Sequence, residues 1–132
     1  ENMGYRSQVV LAVGKELKPY FLAALASSSE AAALVFKHTD RFENDGYDDG
    51  VMLMHWSGIK WYDSYEEIDT INKFVNDCEN ECLEGWSAEQ NDDHGYAYQN
   101  FRFLRIGEDY DDIQDKGEFL FGDIYISREI QF

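Results

Sequence analysis

Apolar and polar residues follow patterns along the chain that predict four strands. Residues 5–15 carry apolar side chains on both parities, as in a strand that is covered on both faces. Residues 51–63 predict a longer strand, and Gly58 within it is typical of a bulge. Residues 96–107 and 119–132 predict two further strands, the last of them half-exposed because its apolar side chains alternate with polar ones.

Two short apolar segments near the N-terminus predict a pair of helices. Residues 18–28 form an apolar stretch whose proline falls in the first turn, where a helix tolerates it. Ser27 and Glu30 then have the spacing of a capping box, which predicts a second helix that continues to about His38. We expect the two helices to supply part of the core and a surface for a homodimer contact.

The longest predicted helix spans residues 63–85. Ser64, followed three residues later by Glu67, is expected to cap its beginning, and Gly85 is expected to end it. Its apolar positions repeat every three or four residues and form one stripe: Ile68, Ile71, Val75, Cys78 and Cys82. Both cysteines are therefore expected in the core, because free cysteine behaves as a small apolar side chain.

The predicted order of elements, β-α-α-β-α-β-β, indicates an α+β fold. We expect a single domain over residues 1–132, with a mixed or antiparallel sheet of about four strands and about three helices mainly on one face. A chain of 132 residues with a hydrophobic content of 44% is long and apolar enough to bury a core.

The negative charge is concentrated in one part of the chain. Residues 1–40 hold four acidic and four basic residues, whereas residues 41–132 hold 23 and 7 and account for the whole net charge of −16. This charge argues against direct binding to nucleic acid or to an anionic membrane surface. It favours a basic protein partner or a cation. We expect a cytoplasmic protein, since neither a secretory signal nor a membrane-spanning segment is visible.

The acidic residues form four clusters in the sequence. The first lies in a predicted loop at 41–50, and the second lies at the beginning of the long predicted helix. The third runs from the second half of that helix into a predicted loop at 86–95, and the fourth lies in a predicted turn at 107–118. Gly107 and Gly117 bracket that turn. The carboxylates that we predict to bind a partner are Glu43, Asp45, Asp48, Asp49, Glu66, Glu67, Asp69, Asp77, Glu81, Glu84, Asp92, Asp93, Glu108, Asp109, Asp111, Asp112 and Asp115.

The fourth cluster does not match a calcium-binding loop. An EF-hand loop that began at Asp109 would place Ile113 at its fifth position and Gln114 at its sixth, where an oxygen ligand and a glycine are required. Cys78 and Cys82 lack Cys or His partners at zinc-like spacing. We therefore predict no metal ligand and no cofactor, while an irregular cation site among the carboxylates stays open.

No sequence motif of a common catalytic class is present. The chain lacks nucleophile-elbow, phosphate-loop, zinc-protease and dinucleotide-binding patterns, and its carboxylates are too numerous for one acid–base pair to stand out. His94 is kept as a catalytic or metal candidate because it lies in a loop, whereas His38 ends a helix and His55 lies in a strand. We predict a protein that is not an enzyme and has no catalytic residues; a metal-dependent hydrolase is the third alternative.

The charge distribution favours an inhibitor that imitates DNA. Helices and turns display carboxylates about 5–6 Å apart, and duplex DNA carries one charge per about 1.7 Å of its axis. A rigid acidic surface can therefore occupy the cationic groove of a nucleic-acid-binding protein. The alternative is an acidic interaction module that binds a basic partner without imitating DNA. The simplest explanation is an acidic surface that only keeps the protein soluble.

Three segments resemble small acidic bacteriophage accessory proteins of unassigned function. They are IKWYDSYEEIDTINKF, FRFLRIGEDYDDIQDKGE and DIYISREIQF, and the resemblance covers roughly half of the chain. It implies a phage counter-defence or host-takeover role in the host cytoplasm. The expected target is then a restriction enzyme, a CRISPR effector, a nuclease or a transcription factor. The resemblance assigns no functional residue.

Overall fold

The structure, a computed structural model, describes residues 4–46, 49–88, 95–118, 124–127 and 130–131. Its elements form an α+β domain, as predicted. In chain order they are β1 (Ser7–Val13), α1 (Lys18–Ala26), α2 (Ser29–Phe36), β2 (Arg41–Asn44), β3 (Met52–Ile59), α3 (Glu66–Glu79), a 3₁₀ turn (Ala97–Asn100), β4 (Phe101–Ile106), β5 (Ile113–Lys116), β6 (Tyr125–Ile126) and β7 (Ile130–Gln131).

Five strands form one antiparallel sheet in the order β2-β3-β1-β4-β5, and β6 pairs with β7 in a separate two-stranded sheet. The large sheet therefore has one strand more than the four predicted. β2 and β5 lie in the segments predicted as a loop (41–50) and a turn (107–118), so those two predictions are wrong in part. Both are edge strands of four residues without a buried side chain, so they lack the apolar alternation that marks a strand.

β1 lies at the centre of the sheet and is buried on both faces, as predicted. On one face, Val9 and Leu11 pack in the main core with the three helices, which confirms that the helices lie mainly on one side. On the other face, Val10 packs in a smaller core with Ile124 and Ile130 from the β6–β7 hairpin. The central strand thus supports two unequal cores.

The prediction of one continuous strand over residues 119–132 is wrong. The described part of this segment forms β6 and β7, which pair with each other because the chain reverses between Ile126 and Ile130. Ile126 and Ile130 both have even numbers, so the alternation of apolar and polar residues continues across the reversal. The sequence pattern therefore does not reveal where the chain turns. The strand predicted at 96–107 begins later than expected, at Phe101, after the 3₁₀ turn. In β3, one residue more lies between Trp56 and Ile59 than between their partners in β1, which confirms the bulge near Gly58.

The helix boundaries differ from the predicted ones. Ser28, not Ser27, caps α2, since its hydroxyl oxygen accepts from the N–H of Ala31 at 3.1 Å. α3 begins at Glu66 without a side-chain cap and ends at Glu79, so Ser64 and Gly85 do not delimit it.

The shorter α3 separates the two cysteines that the sequence placed on one apolar stripe. Cys78 is buried, as expected. Cys82 is exposed, because the helix ends before it reaches this position, so its prediction as a core residue is wrong. In the part of the chain that the structure describes, no helix is long and apolar enough to cross a membrane.

Candidate functional site: an acidic surface at one end of the sheet

Strand direction brings two of the four acidic clusters to the same end of the sheet. β3 and β4 flank β1 and both run antiparallel to it, so both end where β1 begins. Strands in a sheet lie about 4.8 Å apart, which places the ends of β3 and β4 about 10 Å from each other. Residues 60–65 and 107–112 leave the sheet at these ends. We call this the Tyr5 end, and the opposite end, where β1 ends, the Gly14 end.

Tyr5 connects the two segments. The hydroxyl of Tyr62 donates to the carbonyl oxygen of Tyr5 at 3.1 Å. The hydroxyl of Tyr5 donates to the carboxylate of Asp112 at 2.6 Å and accepts from the N–H of Asp109 at 3.0 Å. A single residue before β1 thus holds the segment after β3 beside the loop after β4.

Arg105 clamps the loop from within the sheet. Its guanidinium group donates to both carboxylate oxygens of Asp112, at 2.5 and 3.2 Å, to the hydroxyl of Ser7 at 2.8 Å and to the side-chain oxygen of Gln114 at 2.7 Å. The hydrogen bonds from Arg105, and then the one from Tyr5, hold the pKa of Asp112 below its usual range. Asp112 therefore has a structural role in positioning the loop.

We group the carboxylates of the two segments with those at the start of α3 and call them the convergent acidic surface: Asp63, Glu66, Glu67, Glu108, Asp109, Asp111 and Asp112. Glu108 accepts from the backbone N–H of Arg6 at 2.7 Å, and Glu66 accepts from the hydroxyl of Ser28 at 2.6 Å. Within the described ranges, the exposed side chains of Asp109 and Asp111 form no hydrogen bond or ion pair. These two charges stand at the tip of an anchored loop.

Basic side chains occur next to this surface. A cleft of about 350 Å³ is lined by Arg6, His38 and Lys60 together with Asp40 and Glu67. The carboxylate of Asp40 accepts from the N–H and the hydroxyl of Ser57, and these hydrogen bonds lower its pKa. The cleft mixes both signs of charge, whereas the tip of the 107–112 loop carries the exposed carboxylates of Asp109 and Asp111.

The first cluster lies at the Gly14 end and is partly neutralised by lysine. Asp45 is 3.6 Å from the ammonium group of Lys18, and Asp49 is 3.9 Å from that of Lys15. Glu43 forms an ion pair with Arg41. Asp48 lies outside the described residues. The four clusters predicted from the sequence therefore do not form one face, since the first and the fourth lie at opposite ends of β1.

The described part of the third cluster also lies towards the Gly14 end, and one of its residues has a structural role. Glu81 accepts from the backbone N–H groups of Ala97 and Tyr98 at 3.0 and 2.9 Å, so it anchors the 3₁₀ turn. No local sequence signal indicates this role, because the partners are 16 and 17 residues away.

The remaining candidate carboxylates are distributed along α3 and β5. Asp77 pairs with Lys73 at 3.0 Å and Asp115 with Arg102 at 3.1 Å. Asp69 and Glu84 are exposed. Asp92 and Asp93 lie outside the described residues.

The described residues contain no group of three or more His, Cys, Asp or Glu side chains arranged to hold a metal ion. Burial raises the pKa of the Cys78 thiol, which therefore stays protonated and is a poor nucleophile. Burial also lowers the pKa of His55, whose ring nitrogen lies 3.2 Å from the side-chain amide nitrogen of Gln8. His94, the retained catalytic candidate, lies outside the described residues.

Comparisons with known proteins identify no relative: no family model, no curated protein and no solved structure matches this chain.

Proposed function

We propose that the protein is a non-enzymatic inhibitor whose convergent acidic surface occupies the cationic site of a nucleic-acid-binding protein. The observation that supports this most is the junction at Tyr5, which holds residues 60–65, the segment that leads to Glu66 and Glu67 of α3, beside the acidic loop 107–112. The two segments are more than 40 residues apart in sequence. Folding thus concentrates carboxylates that the chain keeps separate. This concentration is what an electrostatic imitation of DNA requires.

The spacing and rigidity of the surface fit that role. The strand ends from which the two segments leave the sheet lie about 10 Å apart, between the widths of the minor and major grooves of B-DNA, about 6 and 12 Å. Side chains on a loop that is already anchored lose less conformational freedom on binding. A preorganised negative surface also accelerates association with a positive partner by electrostatic steering.

A second function, an acidic interaction module that does not imitate DNA, is favoured by Tyr110. This side chain is 73% exposed at the loop tip, between Asp109 and Asp111. Exposed aromatic residues often act as anchors at protein interfaces. Such a module would bind its partner through shape and aromatic contact, and charge would contribute less.

Affinity capture followed by competition separates the two functions. The immobilised protein is used to capture partners from lysate of the bacterial host that the resemblance implies, and each partner is identified by mass spectrometry. Imitation of DNA predicts a nucleic-acid-binding partner, displacement by duplex DNA, and an affinity that falls steeply between about 50 and 200 mM salt. Affinity that changes little with salt and is unaffected by DNA would contradict imitation and support the second function.

A pair of matched variants locates the interface. The test variant carries Glu67→Gln, Asp109→Asn and Asp111→Asn at the Tyr5 end. The control carries the same change in charge at the Gly14 end, through Asp45→Asn, Asp49→Asn and Glu118→Gln. We expect the test variant to bind the captured partner at least about tenfold more weakly, a change of about 1.4 kcal/mol, and the control to bind nearly as the natural chain does. Equal losses in both variants would mean that only net charge matters and that the protein has no localised interface.

A further inference from the structure

α1 is apolar on its exposed side as well as on its buried side. Residues 19–29 contain no charged side chain, although the whole chain carries a net charge of −16. Phe21 and Leu25 are buried, whereas Ala23 is exposed and Leu22 is 41% exposed. A helix that is apolar all round is normally covered. Within the described part of the chain, the outer side of α1 is therefore left uncovered and accessible to a partner.

Beside this surface, a groove of about 570 Å³ runs between α1 and α3. Its apolar lining includes Ala23, Phe74 and Leu83, and its acidic lining includes Asp69, Asp77 and Glu84. The small side chains of α1 leave room for larger ones from a partner, and the volume is within the range of about 300–1,000 Å³ typical of binding pockets.

The charge of the rim indicates the chemistry of the occupant. Lys73, the basic residue in the lining, is paired with Asp77 at 3.0 Å, which leaves the rim with a net negative charge. A partner that inserts apolar side chains and places Lys or Arg over the rim satisfies both features. A second copy of this chain would bring two acidic rims together, and like charges at an interface oppose association.

We propose that the groove between α1 and α3 binds a basic amphipathic helix of a partner protein. Apolar side chains at helical spacing enter the groove, and basic side chains on the flanks pair with Asp69 and Glu84. α1 has nine residues and a length of about 14 Å, which matches two to three turns of a partner helix. This proposal does not rest on the convergent acidic surface, which lies at the Tyr5 end and uses other carboxylates.

A synthetic peptide of leucine and lysine tests the proposal directly. The peptide has about 14 residues, four turns of helix, with leucine at helical spacing on one face. Isothermal titration against the full chain should show saturable binding. A peptide of the same composition in scrambled order, and one with glutamate in place of lysine, should both bind at least about tenfold more weakly. Equal binding of the scrambled peptide would mean simple charge attraction and would overturn the proposal.

Variants on α1 provide the matched control. Ala23→Arg fills the groove and adds positive charge to its lining, whereas Ala26→Arg places the same exposed side chain on α1 outside the lining. We expect the first to weaken peptide binding about tenfold or more and the second to change it less than about twofold. Circular dichroism verifies that both variants fold. Asp69→Asn combined with Glu84→Gln is the second test variant, and we expect its loss of peptide binding to be largest at low salt.

Two further outcomes distinguish this proposal from its alternatives. If sedimentation shows a dimer that Ala23→Arg dissociates, the groove is covered by a second copy and the proposal is wrong. If the Glu67→Gln, Asp109→Asn, Asp111→Asn variant still binds the peptide as the natural chain does, the groove is an independent site, as expected. Loss of peptide binding in that variant would show that the groove is not independent of the convergent acidic surface.

Discussion

Two acidic loops at opposite ends of the sheet have similar compositions but are held in different ways. The loop 107–112 is attached through Arg105 and Tyr5, residues of the central part of the fold, by hydrogen bonds that span up to 107 positions in sequence. The turn between β2 and β3 is held by Lys15 and Lys18 through more exposed pairs of 3.9 and 3.6 Å. Similar acidic composition therefore does not imply equally strong anchoring.

The difference has an energetic reason. The Arg105 side chain is 13% exposed and donates four hydrogen bonds to three residues, whereas the side chain of Lys15 is 61% exposed and that of Asp49 is 92% exposed. Exposed ion pairs contribute about 0–1 kcal/mol because water and salt screen them. A guanidinium that binds a carboxylate through two hydrogen bonds in a partly buried site is stronger and more specific in geometry. We therefore expect the two loops to respond differently to equivalent substitutions.

Removal of the clamp should have the largest effect. Arg105→Ala leaves Asp112, Ser7 and Gln114 without their shared donor, and we expect the free energy of unfolding to fall by about 3 kcal/mol. Lys18→Ala at the other end should lower it by less than about 1 kcal/mol. Urea denaturation of both variants measures the difference. Similar losses would mean that the two loops are held equally.

A methyl group at the two loop glycines is expected to have the next largest effect. A Cβ at Gly107 would lie 2.1 Å from Oδ2 of Asp112 and 2.3 Å from the hydroxyl oxygen of Tyr5, so Gly107→Ala should disrupt the clamp and cost about 2 kcal/mol. At Gly46 the nearest atom would be an oxygen of Glu43 at 3.2 Å, the far end of a flexible side chain. Gly46→Ala should therefore be nearly neutral in thermal unfolding. A large loss at Gly46 would show that the first loop is as tightly packed as the second.

Acid should remove the contribution of Asp112. The pKa of this carboxyl is lowered in the folded protein, mainly by Arg105 and then by Tyr5, below the unfolded value of about 3.9. Its stabilisation is therefore fully present above about pH 4 and is lost as the pH falls through its folded pKa. Asp112→Asn should cost about 1–2 kcal/mol at pH 7, and the curves of variant and natural chain should converge below pH 4. A difference that stays constant with pH would contradict this role.

The smallest expected effect is local. Tyr5→Phe removes the hydroxyl that accepts from the N–H of Asp109 and donates to Asp112, so the amide of Asp109 should exchange with deuterium faster. The amides of Asp45 and Asn44, at the Gly14 end, should exchange as before. Hydrogen exchange followed by mass spectrometry or NMR measures both. Unchanged exchange at Asp109 would show that other contacts suffice to hold the loop.

The fold class could be predicted from the sequence because burial has a local signature. β1 is apolar on both parities and lies between two cores, and the α3 stripe of Ile68, Ile71 and Val75 is buried as its spacing indicates. Edge strands β2 and β5 lack this signature, since none of their side chains is buried. The cap of α2 was predicted one residue too early, at Ser27, for a similar reason. Ser27, Ser28 and Ser29 have the same side chain, and only Ser28 caps the helix while it also donates a hydrogen bond to Glu66 of α3.

The candidate surface depended on information that the sequence alone does not contain. The chain determined the amount of negative charge, its confinement to residues 41–132 and the apolar character of α1. Only the tertiary structure decided which carboxylates are neighbours, which are neutralised by lysine, and which, like Asp112 and Glu81, hold the protein together. The physical reason is range: burial follows the periodicity of adjacent residues, whereas these ion pairs and hydrogen bonds form between strands and loops that meet only when the sheet is assembled.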